Sequence, residues 1–440
     1  MNSRADPHGE PLGLSAGCDG SCSGFARRDL MSHDLNPSTA VAPAPLPVLD
    51  PAPTRRLGSI DAYRGLVMFL MMAEVLRFCA VASAVPGNTI WEFLCHYQSH
   101  VEWIGCVLHD MIQPSFSFLV GVALPFSLAS RLARGQSPGR MTAHAVWRSL
   151  VLVFLGVFLR SIGHPQTNFT FEDTLSQIGL GYTFLFVLGM RSVRVQWIAF
   201  VAIVVGYWTL FAAYPVRPDF DYPAVGVPAD WPHLMSGFPA HWNKNSNPAW
   251  AFDVWFLNLF PRSEPFRDNG GGYATLSFIP TLATMILGLI AGGILKRERP
   301  PWFKFVWLLV AGTISLALGW GLGELGICPV VKRIWTPSWV LFSGGICLFF
   351  LAFSYAVIDW LGWALWSFPL RVIGANSIAA YCLSHLIEGF ISDSFKTHLG
   401  RDVFNLLGAA YAPFLQGVAV LPVLWLILFW MYRRRLFLRI

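Results

Sequence analysis

Apolar stretches of about twenty residues recur from Leu66 onward, separated by short breaks rich in charge, proline or glycine. A helix of about twenty residues crosses ~30 Å of hydrocarbon and satisfies its own backbone polar groups there. The pattern predicts spans near 66–86, 103–128, 143–162, 174–190, 195–214, 274–295, 302–322, 338–358, 371–392 and 412–432. The expected fold is therefore an all-α, polytopic transmembrane helix bundle of about ten spans, occupying residues 55–440. Residues 1–54 lack this pattern. Asn36–Thr54 alone holds six prolines, so the segment reads as a disordered cytoplasmic tail. It has no basic-then-apolar order of a secretory signal, and Met31 offers an alternative start.

Charge orients the bundle. Arg55, Arg56, Arg64, Arg131, Arg134, Arg140, Arg191, Arg194 and Lys296 lie on one set of connections, and Arg433, Arg434, Arg435 and Arg439 follow the last span. The opposite connections are poorer in Lys and Arg, which makes both termini cytoplasmic. The longest connection, 215–273, is then extracytoplasmic. It carries Trp231, Trp242, Trp250 and Trp255, an aromatic load expected of a folded loop on the membrane surface, capping an outward cavity.

Composition narrows the class further. Hydrophobic residues make up 55% of the 440 and charged ones only 13%, against roughly 25% in soluble domains. Mean hydropathy is +0.52. A water-soluble globule, a disordered chain and a disulfide-stapled secreted module are all excluded. The net charge of +6 sits beside spans and is no nucleic-acid signature. Cys79, Cys106, Cys347 and Cys382 read as small buried hydrophobes. Cys18 and Cys22 have no matching second pair for zinc. Cys95 and Cys328 fall in outer connections and are the candidates for pairing.

Ionisable residues inside spans are costly, and each is a functional candidate. Glu74 and Arg77 are three apart in the first span and read as a structural ion pair. The second carries His100, Glu102, His109, Asp110 and Pro114. On a continuous helix Asp110 lies ~15 Å from His100, which forbids direct pairing, and His109 falls on the opposite face. Glu92, His96 and His100 have metal-ligand spacing only if helix runs through all three, and no metal is expected. His385 and Glu388 are placed for a carboxylate to fix an imidazole tautomer. Ser176 and Gln177 are expected in interhelical hydrogen bonds.

Several blocks together resemble the heparan-alpha-glucosaminide N-acetyltransferase family and its bacterial homologues. They begin with Arg56-Leu57-Gly58-Ser59-Ile60-Asp61-Ala62-Tyr63-Arg64-Gly65-Leu66. His100-x-x-Trp103-x-Gly105 follows, with Asp110-x-x-x-Pro114-x-Phe116-x-Phe118-x-x-Gly121. Thr275 through Gly292, Lys332-x-Ile334-Trp335-Thr336-x-Ser338, Gly374-x-Asn376-x-Ile378-x-x-Tyr381 and Tyr432-Arg433-Arg434 complete the set. The resemblance covers roughly residues 55 to 440. It implies a multi-pass protein of the cell membrane, a bacterial inner membrane, that moves an acetyl or acyl group from cytosolic acetyl-CoA to an extracytoplasmic sugar or amino sugar. It also implies that His100 is the catalytic histidine, ahead of His109 and His385. The family's active-site Asn near the end of the first span is absent from Met72-Ala73-Glu74-Val75, and its Gln-Arg in the fourth-span block is Ser176-Gln177 here.

In this reading His100 acts as general base or transient acyl carrier. Arg64 and Arg131 are the candidates for the CoA phosphates. Trp103, Trp335, Asn376 and Asp110 are the candidates around the acyl group or acceptor, Asp110 rather as an organiser of helix ends. A homodimer is allowed. The alternative is a proton-coupled transporter or flippase running on Glu74, Asp110 and His385, which the lack of an internal repeat disfavours.

Overall fold

The computed structural model describes residues 57–438. The expected tail, with Cys18, Cys22 and Met31, lies outside the described residues, as do Arg55, Arg56 and Arg439. The described chain is helical. Among its residues the one β contact is an isolated bridge between Ile104 and Val331.

Among the described residues, eight helical stretches are long and apolar enough to cross a membrane. The first contains α1 (Gly58–Met72), a 3-10 turn (Ala73–Leu76) and α2 (Phe78–Ala84). After α3 (Thr89–Gln98) come α4 (Ile112–Ala133), α5 (Pro138–Arg160), α6 (Thr174–Gly189), α7 (Val193–Ala212) and α8 (Pro248–Phe256). Then follow α9 (Phe278–Lys296), α10 (Pro301–Glu324), α11 (Pro337–Ser354), α12 (Phe368–Ala375), α13 (Ser377–Leu386), α14 (Glu388–Leu399) and α15 (Ala412–Arg433). The fourth expected span is found as drawn in the short apolar α6, whereas the ninth is broken into α12, α13 and α14. The breaks fall at Asn376 and Ile387, whose backbones leave the helical region.

The second expected span is displaced. Helix begins at Leu108, not 103, and residues 99–107 form a loop. The first span is also interrupted, because Arg77 takes a left-handed conformation (φ 47°) after the 3-10 turn. That bend separates Glu74 from Arg77. The expected pair does not form: Glu74 meets His109, and Arg77 meets Glu388 at 3.2 Å.

α9 is the central helix, buried on every face. It packs on α4 so closely that a Cβ at Gly121 would lie 1.9 Å from the Met285 carbonyl oxygen. One at Gly288 would lie 2.0 Å from that of Phe118. α1 and α12 meet in the same way through Gly65 and Gly374. Small residues let backbones approach where lipid supplies no hydrophobic drive between helices. The glycines of the recurring blocks are thus the contact points of the bundle.

One disulfide joins Cys79 of α2 to Cys95 of α3. Cys79 is therefore no isolated buried hydrophobe, and Cys95 does not pair with Cys328, which is free and buried. The segment 215–273 folds over this same end. Trp103, Trp242, Phe211 and Val331 share an apolar cluster there, with Trp231 packed against it. Within it α8 is tied down by the buried Asp253, whose carboxylate accepts the Thr275 backbone N–H at 2.8 Å.

Candidate functional site

His100 lies in the loop between α3 and α4, and three devices shape that loop. Trp103, fully buried, donates its indole N–H to the Trp242 carbonyl at 3.1 Å. Gly105 has φ 115°, a conformation open to glycine, and its N–H reaches the Val330 carbonyl at 3.0 Å. Asp110 accepts the backbone N–H groups of Val101 and Val107 with one carboxylate oxygen. The H-x-x-W-x-G spacing is therefore an anchor, a turn and a presented histidine.

This loop overturns the helical geometry expected of the second span. His100 Nδ1 is 2.8 Å from Asp110 Oδ1, so Asp110 does orient His100. The ring centroids of His100 and His109 are 4.8 Å apart, so the two are neighbours. The chain doubles back through residues 101–107, and helical rise does not apply there. The same departure removes the helix that Glu92, His96 and His100 would share. α3 ends at Gln98, and Glu92 instead accepts the Gly87 N–H.

Lys332 completes the group and was not singled out from sequence. Its Nζ is 3.1 Å from Asp110 Oδ1 and 3.1 Å from His100 Nδ1. It arrives because the Ile104–Val331 bridge lays the two segments side by side. The block around it has a local logic. Tyr207 donates to the Ile334 carbonyl, Trp335 takes a left-handed turn (φ 49°), and Thr336 caps α11 by accepting the Trp339 N–H.

With Asp110 accepting from a protonated Nδ1, Nε2 would be the ring nitrogen without a proton; Lys332 Nζ faces the same Nδ1. Burial lowers the His100 pKa, the Lys332 ammonium lowers it further, and Asp110 opposes both. Burial is the largest of these influences, so the imidazole pKa lies below its ordinary value.

His100 and Lys332 line a cavity of about 430 Å³, with Glu74, His109, Tyr273 and Tyr381 among the other walls. A second cavity of about 760 Å³ opens toward the other end of α4. Its mouth holds Arg64, Arg131, Arg134, Arg140, His144 and Arg148, and among the described residues no carboxylate lines it. Its depth is apolar, with Val120, Leu124, Leu152 and Ile178. Phe116 lines both cavities.

The remaining candidates separate. Arg64 and Arg131 come together in the basic cavity. Trp103 and Trp335 are buried in the packing, and Trp335 donates to Thr284 at 3.1 Å. Asn376 is also buried and holds the segment after α15, bonding the Leu436 carbonyl and the Leu438 N–H. His385 and Glu388 do not pair: His385 Nδ1 is 2.9 Å from the Tyr381 carbonyl, and Glu388 holds Arg77. Gln177 bonds the Phe171 and Thr275 carbonyls.

Fold and cavities together define a polytopic, all-α membrane protein with two chambers meeting at one aromatic side chain. No family model matches the chain. It is 25% identical to the heparan-alpha-glucosaminide N-acetyltransferase of Homo sapiens and 23% identical to that of Mus musculus. Each match covers 94% of this chain, which spans 63% of the human protein and 64% of the mouse protein. The similarity to both acetyltransferases thus runs over nearly the whole of this chain.

Proposed function

We propose that the protein is a transmembrane acetyltransferase that takes its acyl group from acetyl-CoA on the basic side and delivers it to a sugar or amino sugar on the other. The observation that carries this reading is the pair of cavities that share Phe116, one lined with arginine and the other with His100. The names of the two relatives agree with it.

The basic cavity fits a donor with several phosphates. Its arginines offer forked, always-charged donors, and of these Arg64 also stands 3.7 Å from Asp61. The apolar depth suits the pantetheine arm, and the thioester would come to rest near Phe116. On the far side, Nε2 of His100 takes the proton of the acceptor N–H or O–H as that atom attacks the thioester carbonyl. The new C–N or C–O bond forms and the C–S bond breaks. The imidazolium, steadied by Asp110, then protonates the departing thiolate and returns to neutral. A positioned base contributes ~10²–10⁴-fold, and positioning of the carbonyl must supply the rest.

Orientation supports the same reading. The arginines cluster at the end expected to be cytoplasmic, where CoA thioesters are made. The Cys79–Cys95 disulfide lies on the side of His100, as an oxidising outer compartment would allow.

The test is thiol release from acetyl-CoA by the purified protein in detergent, with a panel of amino sugars and with His100→Ala beside it. Acceptor-stimulated release that vanishes in the variant supports direct transfer. Release that stops after one equivalent without acceptor supports an acyl-enzyme instead. A protein that binds no acetyl-CoA would sink the proposal.

A further inference from the structure

We infer that Glu74 and His109 form a second acid–base pair in the outer cavity, which removes the first proton from a protonated amine acceptor so that His100 can take the second. The inference rests on the acyl-transfer reading above.

Glu74 lies in the 3-10 turn that follows α1, and the left-handed Arg77 bends the chain just beyond it. Its carboxylate is 2.9 Å from His109 Nε2. The two dyads have opposite architecture. In one the acid, Asp110, is fully buried and the histidine is 39% exposed. In the other the histidine is 7% exposed and the acid, Glu74, is 56% exposed. The rings of the two histidines are 4.8 Å apart, and all of these groups except the buried Asp110 line the same chamber.

The remaining charged groups on that chamber are differently engaged. Lys332 is held by Asp110. Glu388 is paired with Arg77, and Glu172 is 4.0 Å from Arg160. Asp173 caps α6 through the N–H groups of Leu175 and Ser176. His385 faces the Tyr381 carbonyl. Glu74 is thus the carboxylate presented to an incoming cation beside His100.

The chemistry requires two proton acceptors for an ammonium and one for a hydroxyl. An acceptor R–NH₃⁺ loses one proton to Glu74 and becomes the nucleophilic R–NH₂. Attack forms the C–N bond and breaks the C–S bond. The second N–H proton passes to His100 and from there to the thiolate, giving CoA thiol. The proton on Glu74 leaves through the outer mouth or by way of His109. His100 cannot hold both protons, because the first would occupy Nε2 before attack.

The experiment measures kcat/KM for acetylation of D-glucosamine from acetyl-CoA between pH 6 and pH 9. It compares wild type with Glu74→Gln, Glu74→Asp and His109→Gln, with acetyl-CoA binding measured on each as the check of an intact bundle. An amine of ordinary pKa, ~8, loses about tenfold of its neutral fraction per pH unit below that value. The Glu74→Gln defect should therefore grow about tenfold per pH unit on the acid side and disappear at pH 9. Glu74→Asp should restore part of the acid limb, and His109→Gln should weaken it. A defect of constant size at every pH would make Glu74 a structural residue and overturn the inference, as would no defect at all. A wild type that acetylates no amine at any pH would overturn the acyl-transfer reading itself, a result distinct from an active wild type with an unaffected variant.

Discussion

The two chambers are built by opposite means. The basic one is made of side chains on regular helices, with Arg131 in the last turn of α4 and Arg148 within α5, where it reaches Tyr182. A regular helix fixes where each such side chain stands, and their convergence needs only that the helices pack. The histidine chamber is made of irregular backbone. His100, Asp110 and Lys332 meet because two loops, 99–107 and 329–336, are held side by side by a bridge, a glycine turn and a buried Trp103. Irregular backbone at this depth survives only where it is buried in protein or lines a cavity. The proposed binding role of the first can be assembled from anchors, whereas the proposed proton transfer in the second needs its groups held to well within about 1 Å.

The largest effect expected is on chemistry alone. His100→Ala should lower turnover by ~10²–10⁴-fold, with acetyl-CoA affinity unchanged by calorimetry. A loss of affinity instead would mean the chambers are not separable. Asp110→Asn should come close behind in kcat, because the amide no longer holds the Nδ1 proton or steadies the imidazolium.

Next comes the reverse dissociation. Arg131→Ala and Arg148→Ala should each weaken acetyl-CoA binding by about tenfold or more, since a hydrogen bond to a charged group contributes ~1.5–3 kcal/mol. Turnover at saturating donor should persist, and the weakening should shrink as salt rises.

Lys332→Met sharpens the contrast by acting on pH rather than rate. The ammonium helps hold the His100 pKa down, so its removal lets that pKa rise. The acid limb of the pH–activity profile should move to higher pH, while activity on the alkaline plateau changes less. An unmoved limb would show that Lys332 serves only to hold the two loops together.

The smallest effect belongs to a site outside both chambers. Burial pushes the Asp253 carboxyl up to about 7. The folded chain then binds this proton more tightly than the unfolded chain does. Stability should be fullest at acid pH, fall as pH rises toward about 7, and level off above it. Asp253→Asn should flatten that slope in thermal unfolding and leave both cavities untouched.

Much of this was legible in the chain. The order of apolar stretches and the bias of Lys and Arg marked the spans, since each helix satisfies its own backbone in lipid whatever its neighbours do. Arg64 and Arg131 were legible for the same reason, and they meet in one cavity. His100 was marked by its motif. Its partners were hidden by the assumption of a continuous helix, which made the 2.8 Å contact with Asp110 look impossible. The roles of Gly105 and Trp103 in turning that loop depend on Val330 and Trp242, which are far away in sequence. Glu74 seemed to belong to Arg77 until the left-handed turn between the helices sent the two apart.

What the sequence determined by itself is what local physics decides: which segments are long and apolar enough to cross a membrane. Only the tertiary structure decided which titratable groups touch. The pairings of His100 with Asp110 and of His109 with Glu74 involve backbone that has left the α-helix, and that of Cys79 with Cys95 depends on the turn that folds α3 back on α2. Periodicity places a side chain only while the helix continues, and where it stops, long-range contacts set the geometry.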